Sequence, residues 1–230
     1  MSNLLLIGAL LAGCGKTAPT PLPPPTPSQS AGLRFLALGD SYTIGESVDP
    51  SQRWPVQLAT ALRAGGISIG DPEIIAQTGW TTADLSAAMD QADPRGPYDL
   101  VGLLIGVNNQ FQGRSESEYR QQFGDLLSRA IALAGGRPGR VMVLSIPDWG
   151  ITPFARQINA DPASVAAQID RFNAINRELT GNAGAVYVDI TPLTRQRRDL
   201  VADDGLHPSG EMYGKWVELT LPGARRTLRP

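Results

Sequence analysis

Residues 34–47 read RFLALGDSYTIGES, and the change of character at Gly39 decides what kind of fold the chain builds. Arg34 to Leu38 has the length and the unbroken apolar run of a strand buried on both faces. Glycine then permits a tight turn, and Ser41 opens the next segment with its hydroxyl and its backbone N–H both able to face a cleft beyond the strand end. A serine hydroxyl attacks nothing unless a base takes its proton and donors hold the product oxyanion. Taken alone, Gly-Asp-Ser is an ordinary turn, so the partners have to be found elsewhere in the chain.

The same pattern recurs downstream. Strand-length apolar runs lie at Glu73 to Ala76, Leu100 to Ile105, Val141 to Ser145 and Ala185 to Asp189, each followed by a polar or glycine-containing break. Helices lie between them. Ser115 with Glu118 marks a capping box, after which Tyr119, Phe123, Leu126, Leu127, Ala130 and Ile131 keep to one face. Asp161-Pro162 marks a second start, with Val165, Ile169, Phe172, Ile175 and Leu179 on one stripe and Gly181 at its end. Alternating strand and helix with continuous apolar strands predicts a doubly wound α/β domain, a parallel sheet of about five strands covered on both faces. In such sheets ligands bind beyond the carboxyl ends of the strands, so those ends are where function is read. The glycines of a dinucleotide fingerprint or a P-loop do not follow the first strand.

Composition narrows the chemistry. The 230 residues are 42% hydrophobic and 18% charged, enough for one globular domain with a sizeable core. A net charge of −2 gives no basic field for a phosphate backbone, so no nucleic-acid partner is expected. With one cysteine, Cys14, no internal disulfide forms, and with one histidine, His207, the usual histidine-rich metal sites are out of reach. No metal or organic cofactor is expected, and any histidine base must be His207.

At the strand ends the residues are of a consistent kind. After the second strand come Gln77-Thr78-Gly79-Trp80-Thr81-Thr82, where Gly79 leaves its own N–H open and Thr81 or Thr82 caps a helix starting near Ala83. After the third come Gly106-Val107-Asn108-Asn109, with an amide donor in Asn108. After the fifth come Asp203-Asp204-Gly205-Leu206-His207-Pro208, in which an acid three residues before the imidazole is able to orient it locally. One hydroxyl, one acid with one imidazole, and several separate donors are what acyl transfer requires.

These blocks resemble the SGNH, or GDSL-type, hydrolase family, which takes a serine from G-D-S, a glycine from a second block, an asparagine from G-x-N-D, and acid and base from D-x-x-H. The resemblance runs in family order from Gly39 to His207. It implies a three-layer α/β/α, flavodoxin-like fold, with Ser41 as nucleophile, His207 as base and Asp204 as its orienting acid. It also implies an oxyanion hole made by the N–H groups of Ser41 and Gly79 and the amide of Asn108. The third block here is G-V-N-N, so Asn109 stands where the family has aspartate, a change that bears on local hydrogen bonding. The family spacing selects Asp204 and leaves Asp203 as a solvated turn acid, and Asp40 reads as a turn-shaping carboxylate that is charged at neutral pH. Tyr42, Trp80, Phe111, Trp149 and Phe154 lie near strand ends as pocket or packing residues. Arg195, Arg197 and Arg198, like Arg114, read as a solvated face or, less readily, as an anion site.

The expected activity is that of a serine esterase working through an acyl-enzyme. A monomeric lysophospholipase-like enzyme with short or medium acyl preference is the first expectation, and a carbohydrate O-acetylesterase the second. A non-catalytic ligand-binding protein keeping the fold is the contrasting one, hinted at by Asn109 alone. Ahead of residue 31 the chain is different. Leu4 to Ala12 is an apolar run too short to span a bilayer, and Leu11-Ala12-Gly13-Cys14 resembles a bacterial lipobox. No Lys or Arg precedes the run. The Pro-rich tract Ala18 to Ser30 favours extended polyproline II and suits a stalk. The expected organisation is a signal peptide over 1–13, a lipidated Cys14 with linker over 14–30, and the hydrolase domain over 31–230. It places the protein in the cell envelope through a membrane anchor, and Gly15 after the cysteine favours the outer membrane or periplasm.

Overall fold

The computed structural model describes residues 32–228; the lipobox and Pro-rich assignments lie outside them. Within that range Phe35–Gly39 (β1), Glu73–Ala76 (β2), Leu100–Leu104 (β3), Val141–Leu144 (β4) and Val186–Val188 (β5) pair, all parallel, in the order β2-β1-β3-β4-β5. This is the doubly wound sheet expected from the alternating pattern. Strands β1, β3 and β4 are buried throughout, which is why their sequences are continuous rather than alternating. Gly39 closes β1 and pairs in register with Leu104. A Cβ there would stand 2.4 Å from the Leu104 carbonyl oxygen and 2.2 Å from the Thr43 hydroxyl, so only glycine lets the two strand ends lie this close.

The connections place the helices. The chain steps outward from β1 to β2 through Trp54–Ala64 (α2), then crosses back over β1 to β3 and continues to β4 and β5. Right-handed crossovers therefore put α2 on one face of the sheet and the later helices on the other. Those later helices are Thr82–Ala92 (α3), Glu116–Leu133 (α5) and Pro162–Asn182 (α7), with α5 packed on both its neighbours. The last helix, Gly210–Leu228 (α9), returns to pack along α2. Trp54 of α2 covers Gly102 at the middle of the sheet, and Trp216 of α9 is fully buried in the same core. Three short helices, Ser41–Ile44 (α1), Val107–Phe111 (α4) and Pro153–Gln157 (α6), lie near strand ends, and Thr191–Gln196 (α8) follows β5. None of the described helices is long and apolar enough to cross a membrane.

The expected helix starts are capped, although Ser115 and Glu118 form only the forward half of the expected capping box. The Ser115 hydroxyl accepts from the Glu118 N–H, the Asp161 carboxylate from the N–H groups of Ala163 and Ser164, and Thr81 caps α3 with a reciprocal bond to Asp84. One helix end differs from expectation. Gly181 stays helical, and α7 runs on to Asn182 with Ala183 as its C-cap and Gly184 (φ +72°) after it; Ala185 N–H donates to the Thr180 carbonyl and Gly184 N–H to that of Gly181, the paired bonds of a Schellman motif. Two glycines are available, and the one whose own N–H and next N–H close the two bonds follows the helix end.

Candidate active site

Strand order reverses between β1 and β3, and the crevice beyond their carboxyl ends is where a doubly wound sheet leaves room for a ligand. Ser41 and Asn108 flank that crevice, Ser41 as the first residue of α1 and Asn108 inside α4. A cavity of about 160 Å³ opens there, lined by Ser41, Thr78, Gly79, Asn108 and His207. Its remaining wall is apolar: Val107, Leu206, Tyr42, Phe111, Trp149 and Phe154. Four of the five aromatic residues singled out in the sequence thus line the cavity. Trp80 does not; it is half-buried against the core and serves through its carbonyl.

The two side chains expected to serve as acid and base meet in the structure. His207 Nδ1 lies 2.6 Å from Asp204 Oδ2, and the imidazole is only 7% exposed. Asp204 Oδ1 accepts from the backbone N–H groups of Leu206 and His207, and Oδ2 also accepts from the Ser47 hydroxyl at 2.6 Å. Burial works against ionisation of this carboxyl, but the four donors outweigh it and hold it down at about 2. Being an anion, Asp204 fixes the proton on Nδ1 and leaves the other ring nitrogen as an acceptor. The Tyr42 ring meets the imidazole edge-on, centroids 5.6 Å apart, so the residue after Ser41 also steadies the base. Asp203 is exposed, in keeping with a turn acid.

The donors on the opposite side are clasped by two adjacent asparagines. Asn108 Nδ2 donates to the Trp80 carbonyl at 2.9 Å, which fixes the amide plane and leaves its second N–H free for the cavity. Asn109, buried, accepts from the Thr82 N–H at 3.0 Å and donates to the Thr82 hydroxyl at 2.7 Å; that hydroxyl in turn donates to Gln122. The asparagine standing in place of the family's aspartate therefore has both amide atoms bonded, and it ties the loop bearing Gly79 to α4. Gly79 itself is exposed, with open space around it, and adopts φ +86°.

Asp40 caps α1 as expected, its Oδ1 accepting from the Tyr42 N–H at 3.0 Å. Its charge state differs from expectation. The side chain is fully buried, Oδ2 lies without a hydrogen-bond partner, and burial, only partly offset by nearby backbone N–H groups, pushes the carboxyl up to about 7. Such a group binds a proton more readily folded than unfolded, so its contribution to stability is full below about pH 4 and is lost as pH rises to about 7. Asp40→Asn keeps the cap acceptor and cannot ionise. Unfolding free energies measured by denaturant titration between pH 4 and 8 should show wild type losing stability relative to this variant across that window, and parallel curves would contradict the burial effect.

The arginine cluster is occupied structurally. Arg195 bonds the buried Asp148 at 2.8 Å and Asp170 at 2.8 Å, while Arg197 pairs with Asp199 and Glu211. With Gly150 N–H also donating to Asp148, and Trp149 donating to Gln110 at 2.7 Å, these bonds hold the aromatic wall in place. The sequence gives no sign of Ser47, Gln110 or Asp148: single polar residues in turns or in a five-residue helix carry no periodic signal, and their partners are 157, 39 and 47 positions away.

A family model described as the GDSL-like lipase/acylhydrolase family matches residues 37–215. The chain belongs to that family. As a GDSL-like acylhydrolase it is a hydrolase of carboxylic esters. Among solved structures it is similar to a lipase/acylhydrolase from Enterococcus faecalis, with 18% identity and a TM-score of 0.66 over 86% of this chain and 98% of that one. A variant of an acetyl xylan esterase from Geobacillus stearothermophilus gives 17% identity and a TM-score of 0.64 over 84% and 95%. The SGNH-hydrolase family esterase AlinE4 gives 24% and 0.60 over 88% and 100%. At these identities the likeness shows that GDSL-like hydrolases share this α/β fold. Comparison with curated proteins gives no match.

Proposed function

We propose that the protein is a serine esterase in which Ser41 is the nucleophile, His207 the general base and Asp204 its orienting acid, acting on esters with short acyl groups. The observation that carries this reading is the 2.6 Å Asp204–His207 bond, which backs an imidazole sharing one cavity with Ser41, Gly79 and Asn108. His207 takes the Ser41 proton as the oxygen attacks the ester carbonyl, and the carbonyl electrons move onto oxygen. The N–H groups of Ser41 and Gly79 and the free N–H of Asn108 receive that oxyanion. His207 then protonates the leaving alcohol, and water repeats the cycle on the acyl-enzyme.

The size of the cavity supports a short-acyl preference. At about 160 Å³ it is the size of an apolar cavity that takes one benzene ring, so roughly six heavy atoms fit. A longer chain would leave it across Phe111, which is 53% exposed, and Phe154. This favours short acyl esters over long-chain lysophospholipids, and it leaves the acetyl esters of carbohydrates as the second reading. Anchoring at Cys14 would bring such an enzyme to the lipids and glycans of the envelope. A fluorophosphonate probe should label Ser41, and nitrophenyl esters should be hydrolysed fastest with acyl chains of about two to six carbons. A folded protein that stays unlabelled refutes the nucleophile, and a maximum at long chains refutes the short-acyl preference. Acetylated xylan and lysophosphatidylcholine, assayed in parallel, separate the two substrate classes.

A further inference from the structure

We infer that Ser47 is a positioning residue of the acid–base pair, its hydroxyl fixing the Asp204 carboxylate in the orientation that His207 requires. The inference rests on the assignment of Asp204 and His207 made above. Ser47 Oγ donates to Asp204 Oδ2 at 2.6 Å, the same oxygen that takes His207 Nδ1 at 2.6 Å. With two backbone N–H groups on Oδ1, the carboxylate has four donors, two on each oxygen, which fills its acceptor sites and leaves it no freedom to rotate.

Two features set this bond apart from an incidental surface contact. Ser47 is exposed, so its hydroxyl has water available, yet its backbone is held at φ +63°, a left-handed conformation that is costly for a residue with a Cβ. A strained backbone persists where the surrounding structure imposes it, and here the strained residue is the one that reaches the acid. Ser47 also follows α1 closely, six residues after Ser41, in a turn where the N–H groups of Gly45 and Glu46 both donate to the Ser41 carbonyl. Its neighbour Glu46 accepts from Thr78, beside Gly79. One short turn thus ties the nucleophile's segment to the acid's turn and to the loop of the second oxyanion donor.

Ser47→Gly and Ser47→Ala separate the hydroxyl from the strain. Both remove the donor, but only glycine relieves the left-handed backbone, so the glycine variant stays foldable. The expected result is a fall in kcat of about ten- to a hundredfold in both, the loss of one hydrogen bond to a charged group expressed as a rate, with KM within about twofold. The Nδ1–H proton resonance, unambiguous because the chain has one imidazole, should be displaced in both variants. A Ser47→Gly enzyme with wild-type kcat and an undisplaced resonance overturns the inference, as does impairment confined to the alanine variant. The resonance is read without turnover. A wild type that failed to react with fluorophosphonate would sink the esterase reading, while the resonance would still report whether Ser47 governs the Asp204–His207 bond.

Discussion

Replacing His207 with alanine should lower kcat by about 10,000-fold or more, the scale seen when a member of a serine nucleophile's proton relay is removed. The chain holds one histidine, so no neighbouring imidazole is available to substitute, and the loss should not be masked by a second base. On the proposed mechanism Ser41 and His207 share one proton transfer, so Ser41→Ala should cost about as much, and the double variant little more than either alone. His207 is 7% exposed and packs on Tyr42, so a small loss of stability is expected as well. Circular dichroism and a thermal melt on the same samples tell that loss from the catalytic one. Additive effects of the two substitutions would show that serine and imidazole do not share a step.

Asn108→Ala should lower kcat by about 100- to 1,000-fold, or roughly 3–4 kcal/mol of barrier, the usual worth of one oxyanion donor. The effect should fall on kcat rather than KM, because the donor is used once negative charge has developed on the substrate oxygen. Removing the amide also frees the Trp80 carbonyl from its 2.9 Å bond, but Asn109 still grips Thr82 through both of its amide atoms, so the loop carrying Gly79 stays attached to α4. A variant with unchanged kcat and raised KM would mean that Asn108 binds substrate instead of stabilising the transition state. Steady-state kinetics on a nitrophenyl ester of short acyl chain are sufficient to decide.

Much of this was legible in the chain because its signals are local. Continuous apolar runs in β1, β3 and β4 mark strands buried on both faces, and Ser115, Asp161 and Thr81 each announce a helix start by a side chain bonding its own first turn. Aspartate and histidine three residues apart likewise need only a short turn to meet. What escaped was non-local or electrostatic. Nothing near Asp40 in sequence says that it will be fully buried with an unpartnered oxygen, the burial that pushes its carboxyl up to about 7. Ser47 looks like any turn serine until Asp204 arrives from 157 positions away. The stop of α7 depends on which of two nearby glycines closes the cap bonds with its own N–H and the next one, which is a matter of backbone geometry and not of residue type.

The acid–base turn comes immediately before α9, and α9 is the helix that packs along α2 to close one face of the sheet. During synthesis the amino-terminal part of a domain emerges first. Ser41 therefore leaves the ribosome before His207, and on the proposed roles a chain cut ahead of residue 204 holds the hydroxyl without its base. On the proposed assignment, ester chemistry therefore depends on the turn next to the last described helix, although the nucleophile lies after the first described strand.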